Sequence, residues 1–218
     1  MSGLCEALHR AVNTATAMRY PFSTDSVPHL GIYIMLEEGE HAHGVHRIVR
    51  VGTHTGQNGT LGSRLADHYV RENKDRSIFR KNIGRALLAQ GADPFLDDWN
   101  KDLTSKKARC ETRGLIDLDK QAQVEHRVSD YIRSRIFVVT MPIATRSVLR
   151  ELEEKLIATV AACRECRPSG KWLGNWSPKE KIRNSGLWQE QGVGSTKRLD
   201  LETVNRIASA LSSGGSSV

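Results

Sequence analysis

The stretch LGIYIML at residues 30–36 and the stretch RIVRVG at residues 47–52 decide the fold. Both are short and rich in β-branched residues, and a hydrophilic segment, EEGEHAHGVH at 37–46, separates them. Two such runs joined by one polar segment predict an antiparallel hairpin with Glu37 to His46 as its loop. A third β-branched run, Ile136 to Met141, predicts a buried strand beside them.

Helical periodicity surrounds these runs. Leu4, Leu8, Ala11, Val12, Ala15 and Met18 predict an amphipathic helix over 4–19 that stops before Pro21. A Gly-rich loop, THTGQNGTLG at 53–62, precedes a helix from about Ser63 to Glu72. Residues 74–135 are basic and mostly helical in pattern, with a break at Asp93-Pro94. Arg146 to Cys163 is a strongly amphipathic helix, and 168–188 reads as irregular. A helix over about 200–211 precedes a Ser/Gly tail expected to be disordered. The expected class is α/β (α+β), a small mixed and largely antiparallel three-stranded sheet flanked by helices.

The composition is that of a globular chain: 218 residues, 39% hydrophobic and 26% charged, close to ordinary soluble proteins. Collagen-like, low-complexity and wholly disordered classes are excluded. The 32 Lys and Arg outweigh the 25 Asp and Glu, giving +7. That excess points to a polyanionic partner, nucleic acid ahead of a membrane surface. The early Glu6 and the lack of a long apolar run argue against a signal peptide or a membrane span. With four scattered cysteines, the expected compartment is the reducing cytoplasm. Cys163-Arg164-Glu165-Cys166 is a lone C-x-x-C with no second half at ribbon spacing, so it is read as two reduced thiols near a helix end. His41, His43 and His46 are compatible with a transition metal but are read as an exposed hairpin loop.

Two helices contain polar residues that the apolar pattern does not explain. On the helix 146–163, Glu153 lies inside the stripe of Val148, Leu149, Leu152, Leu156, Ile157 and Val160, whereas Glu151 and Glu154 point elsewhere. An acid on a core face needs a cationic partner. The pattern leaves two readings, a structural ion pair or a metal-ligand carboxylate. On the helix 63–72, Arg64 and His68 stand one turn apart, off the buried stripe of Leu65, Ala66, Tyr69 and Val70. They are either solvated side chains or a phosphate-holding pair beside the Gly-rich loop.

Taken in order, Gly31-Ile32-Tyr33, then Arg50-Val51-Gly52, then Arg64-x-x-x-His68, then Leu152-Glu153-x-x-Leu156-Ile157 resembles the GIY-YIG nuclease superfamily. The resemblance covers roughly residues 29–177. Two departures stand out. Arg50 replaces the tyrosine of the second triplet, as a basic residue does in some restriction enzymes of the superfamily. The stretch between Arg64 and Glu153 is also longer than in the minimal module.

The resemblance implies an endonuclease that hydrolyses DNA phosphodiester bonds with one divalent ion, Mg2+ or Mn2+. It assigns proton abstraction to Tyr33, charge stabilisation to Arg64 and orientation to His68. It makes Glu153 the metal ligand. Arg50 becomes a phosphate contact, and Gly52 a point of close backbone approach. Asn175, or else Lys171, takes the place of an asparagine that follows the glutamate helix.

The implied division is a helix and linker at 1–27, a nuclease domain at 28–180 with a basic helical insertion at about 73–135, and a terminal helix and tail at 181–218. Arg71, Lys171, Asn175 and Lys179 are candidate nucleic-acid contacts. Trp172 and Trp176, interleaved with basic residues, form either a stacking surface or a tucked-in pair. The alternative function is a non-catalytic nucleic-acid-binding module that keeps the same fold.

Overall fold

The run at 30–36 is apolar at every position because both of its faces are covered. A computed structural model describes residues 2–54, 59–112 and 114–212. In chain order it contains α1 (Ser2–Thr14), β1 (Gly31–Ala42), β2 (Val45–Thr53), α2 (Leu61–Tyr69), α3 (Ile78–Gln90), α4 (Leu96–Asn100), α5 (Lys106–Glu111) and α6 (Leu118–Arg135). Then follow β3 (Ile136–Pro142), α7 (Arg146–Ala161), α8 (Glu180–Ser185) and α9 (Leu201–Ser212). The strands order as β2-β1-β3, antiparallel throughout. Part of the Gly-rich loop (55–58) and the expected Ser/Gly tail (213–218) lie outside the described residues.

β1 is the central strand, and its alternation divides the core in two. Ile32, Ile34 and Leu36 face one side, where Leu8 and Val12 of α1, Leu152 and Leu156 of α7, and Val204 and Ile207 of α9 pack. Tyr33 and Met35 face the other, against Leu65 and Tyr69 of α2, Phe79 and Ile83 of α3, and Val128 and Ile132 of α6. Each predicted amphipathic helix therefore turns its stripe to one side of a strand that is covered on both faces from Gly31 to Glu37. Threonines define two helix starts: Thr60 Oγ1 accepts from Ser63 N, and Thr145 Oγ1 accepts from Val148 N. Val148 itself, counted in the apolar stripe, is exposed.

The hairpin is tighter than its sequence suggests. Instead of a loop over 37–46, β1 continues to Ala42 and β2 begins at Val45. The connection is His43-Gly44, both at positive φ (53° and 78°), as a two-residue type I′ turn requires. The polar residues read as loop are held in place by partners. Glu37 is buried and accepts from the Trp172 and Trp188 indoles at 3.0 and 2.9 Å, and from the Tyr131 hydroxyl. Glu40 is buried against Arg47 at 2.8 Å and the Ser169 amide at 3.0 Å. The indoles of Trp172 and Trp188 sit 4.9 Å apart. Trp172 is therefore a core residue and not a stacking platform, while Trp176 is 52% exposed.

The basic segment after α2 behaves similarly. Arg80 makes a buried bidentate pair with Glu125 at 2.7 and 3.0 Å and so joins α3 to α6. Lys74 and Lys81 both reach Asp75, at 3.0 and 3.1 Å, and Arg85 reaches Asn82 and Asn100, each at 2.7 Å. These four cations of the basic segment are buried. A buried charge persists only when paired and hydrogen-bonded, so they hold the helices together. Among the described residues, no helix is long and apolar enough to cross a membrane.

Candidate active site

The sheet brings residues far apart in sequence to one place. Tyr33 on β1 stands opposite Gly52 on β2. A Cβ at position 52 would lie 2.4 Å from the Tyr33 hydroxyl oxygen and 2.5 Å from Cζ. The phenol therefore lies across Gly52 and fills the space the glycine leaves. This corrects the reading of Gly52 as a point of substrate approach.

Tyr33 has no exposed surface. Its hydroxyl oxygen accepts from Arg50 Nε at 3.0 Å and is 3.0 Å from His68 Nε2. His68 Nδ1 lies 2.7 Å from Ser77 Oγ, which caps α3. The ring of His68 is wholly buried, and its pKa lies well below the usual histidine value. Burial is the main cause, followed by the nearby cations Arg64, Arg50 and Arg80. It is therefore neutral near pH 7.

Arg50 stands between this pocket and an open cleft of about 650 Å³. The guanidinium also donates to the Trp188 carbonyl and lies 5.2 Å from the Phe79 ring centre. Glu153 of α7 lines the same cleft. Its carboxyl is half-buried. Burial raises its pKa, and Arg50, the Thr53 backbone N–H and Arg64 oppose that rise. Arg64 donates through Nη1 to the Arg76 carbonyl at 2.9 Å, while its Nε has no partner among the described residues. Tyr33, Arg50, Arg64, His68 and Glu153 thus converge.

Other predicted contacts lie elsewhere. Arg71 pairs with Asp67 at 2.8 Å on the exposed end of α2. Asn175 donates to the Ser169 carbonyl at 2.8 Å and holds a turn. Lys171 is exposed beside Ser169, in a separate hollow that also includes Glu37 and Trp172. Neither Asn175 nor Lys171 lines the cleft. Lys179 sits at its rim, 3.7 Å from Glu190.

Two residues that sequence reasoning missed do line the cleft, Asn82 and Gln189. Asn82 Nδ2 is buried with no partner among the described residues, and its Oδ1 accepts from Arg85. Gln189 Oε1 accepts from Val51 N at 2.9 Å and so fixes the strand that carries Arg50. Neither has a local sequence signal, since each reaches the cleft only through tertiary packing.

The donor set fits a hard divalent cation. Glu153 supplies a half-buried carboxylate open to a polar cleft, and such ions accept one protein carboxylate with water completing the shell. Chemically, the arrangement offers a phenol held by a cation, a neutral imidazole, unpartnered donors and the Glu153 carboxylate, the other two acids of the cleft, Glu154 and Glu190, being paired with Lys197 and Lys179. That combination suits an anionic substrate attacked by water. A family model described as a GIY-YIG domain matches residues 2–214. No curated protein matches the chain, and no solved structure does.

Proposed function

The chain belongs to the GIY-YIG domain family, and from that premise we propose that it is a metal-dependent endonuclease hydrolysing phosphodiester bonds of DNA in the cleft beside Arg50. The observation that carries this reading is the hydrogen-bonded row Arg50–Tyr33–His68 facing Glu153.

In this mechanism the scissile phosphate enters the cleft and the Arg50 guanidinium turns to it. That movement opens the Tyr33 oxygen, otherwise covered, to an attacking water. Hydrogen bonds at catalytic groups commonly tighten only once substrate is bound. Tyr33 acts as the phenolate, its own proton having gone to solvent, and takes the water proton to become the phenol, with the Arg50 cation beside the charged oxygen. His68 does not store that proton, because burial among three arginines disfavours the imidazolium. Its part is to orient the phenol through its 3.0 Å contact. Arg64 and Asn82, with donors unpartnered in the described structure, stabilise the charge that builds on the pentacoordinate phosphorus. A Mg2+ or Mn2+ ion held by Glu153 would stabilise the leaving oxygen.

The test is nicking of supercoiled plasmid with and without MgCl2. Cleavage should need the ion and vanish in Glu153→Gln while DNA binding survives. Glu154→Gln should cut normally, because Glu154 is engaged with Lys197 at 2.9 Å and Ser195 at 2.8 Å. Equal damage from both substitutions would point to the wrong carboxylate. Salt-sensitive binding with no cleavage by the parent chain would favour a non-catalytic DNA-binding module.

A further inference from the structure

On the opposite side of the sheet, three segments distant in sequence bring soft metal ligands together. Cys5 and His9 lie on α1, His43 at the tip of the hairpin, and Cys163 and Cys166 just beyond the end of α7. One ligand atom from each of Cys5, His9, His43 and Cys166 falls within 4.8 Å of all the others. Cys5 Sγ is 3.4 Å from Cys166 Sγ, and Cys166 Sγ is 3.3 Å from His43 Nε2. Cys163 Sγ is 3.5 Å from the same His43 nitrogen, and His9 Nε2 is 3.8 Å from Cys166 Sγ. In tetrahedral zinc sites, metal bonds of about 2.0–2.3 Å place ligand atoms about 3.3–3.8 Å apart. The spacing therefore matches a metal's first shell before any ion is placed in it.

Three further features suit a ligand cluster. His43 belongs to a hairpin tip, yet its side chain is 1% exposed and folded back onto the thiols. It does so from a positive φ of 53°, which is uncommon outside glycine. Its other nitrogen, Nδ1, lies 3.2 Å from the Glu165 carboxylate. That contact fixes the tautomer in which Nε2 presents its lone pair to the sulfurs, the arrangement usual for metal-bound histidine. His9 is held likewise, with Nδ1 2.9 Å from the Cys5 carbonyl.

We propose that Cys5, Cys166 and His43 bind a structural Zn2+ ion, with the fourth ligand supplied by His9 or Cys163. His9 Nε2 now accepts from the Ile48 amide at 3.2 Å and would have to leave it. Cys163 would only close on His43. The ion would tie together α1, the hairpin tip and the end of α7. It is separate from the cleft, since α7 runs about 12 Å beyond Glu153 before Ala161 ends it.

The experiment measures metal in the full-length protein purified without added chelator. Elemental analysis should give one zinc per chain, retained in Glu153→Gln. Replacing it with Co2+ should produce the visible d–d absorption of a tetrahedral site together with thiolate-to-cobalt charge transfer in the near ultraviolet. Cys5→Ser and Cys166→Ser should lose the metal and melt at lower temperature. Of His9→Gln and Cys163→Ser, the one that also loses metal supplies the fourth ligand.

Because a serine variant can fail to fold, thiol titration of the parent chain is the second measurement. Exposed Cys110 should react at once, whereas Cys5 and Cys166 should react freely only after chelation. A protein that stays metal-free when Zn2+ is supplied, gives no cobalt absorption and shows thiols indifferent to chelator overturns the proposal. So does a stable Cys5–Cys166 disulfide, seen as two missing thiols that return on reduction.

Discussion

Replacing Gly52 with alanine tests the geometry of the cleft at its tightest point. The new methyl would stand 2.4 Å from the Tyr33 hydroxyl oxygen, whereas ordinary contact begins at 3.4 Å. The strand has little room to yield, because Gln189 holds the neighbouring Val51 amide and β2 is laddered to β1. The phenol must therefore retreat by about 1.0 Å. A shift of that size lengthens its 3.0 Å contacts to Arg50 and His68 toward about 4 Å, beyond hydrogen bonding. Losing them costs about 1–3 kcal/mol, and overpacking adds a comparable amount.

Urea denaturation of Gly52→Ala should show a loss of about 2–6 kcal/mol. Plasmid cleavage should fall by about 10²-fold or more, the usual consequence of a 1 Å misplacement. In a Tyr33→Ala background the same alanine meets empty space, so the two substitutions should couple strongly in a double-mutant cycle. Gly52→Ala stability within about 0.5 kcal/mol of the parent, with no coupling, would refute the packing of Tyr33 against Gly52.

Tyr33→Phe keeps the ring and removes the oxygen, so folding and DNA affinity should persist while turnover drops by about 10²–10⁴, as for loss of a general base; undiminished cleavage at every pH would exclude Tyr33 from proton transfer. His68 has a folded-state pKa well below the usual 6.5, so the unfolded chain binds the extra proton. Stability should then fall as pH drops below 6.5, by up to about 1.36 kcal/mol per pH unit. His68→Gln should flatten that slope, and identical acid-titration curves for parent and variant would count against a neutral buried ring. Log affinity for duplex DNA should decline linearly with log salt, by about 0.9 for each phosphate neutralised, and salt-independent binding would rule out DNA as the partner.

The three strands and the helices α1, α2, α7 and α9 were legible because periodicity records which side of an element is covered, and the core covers one side of each helix; α8 lies in the 168–188 segment that reads as irregular. Where the sequence misled, polar residues had found partners. Glu37 and Glu40 looked like loop because acids seldom occupy a central strand, yet Trp172, Trp188, Arg47 and Ser169 satisfy them. At and behind the cleft, residues carried by a short motif, such as Tyr33, Arg64 and Glu153, were legible as candidates. Asn82 and Gln189 were not, since nothing local distinguishes an amide that long-range packing turns inward. The thiol and imidazole cluster was read in pieces, Cys163 and Cys166 as a lone pair of reduced thiols and His43 as exposed loop, because its members come from positions 5, 9, 43, 163 and 166, and spacing rules join only ligands that are neighbours in the chain.

The carbonyl that receives Arg50 belongs to Trp188, whose indole packs at a tilt against Trp172, both bonded to the buried Glu37 carboxylate. Trp99 is also enclosed, whereas Trp176 is open to solvent. The protein thus carries its own optical probe. With acrylamide quenching the Trp176 emission, the remaining fluorescence comes from enclosed indoles. Of these, Trp188 is bonded through its backbone to the arginine that guards the cleft. A ligand that turns this arginine outward disturbs the tilted pair, so occupancy of the cleft can be followed by light without attaching a label.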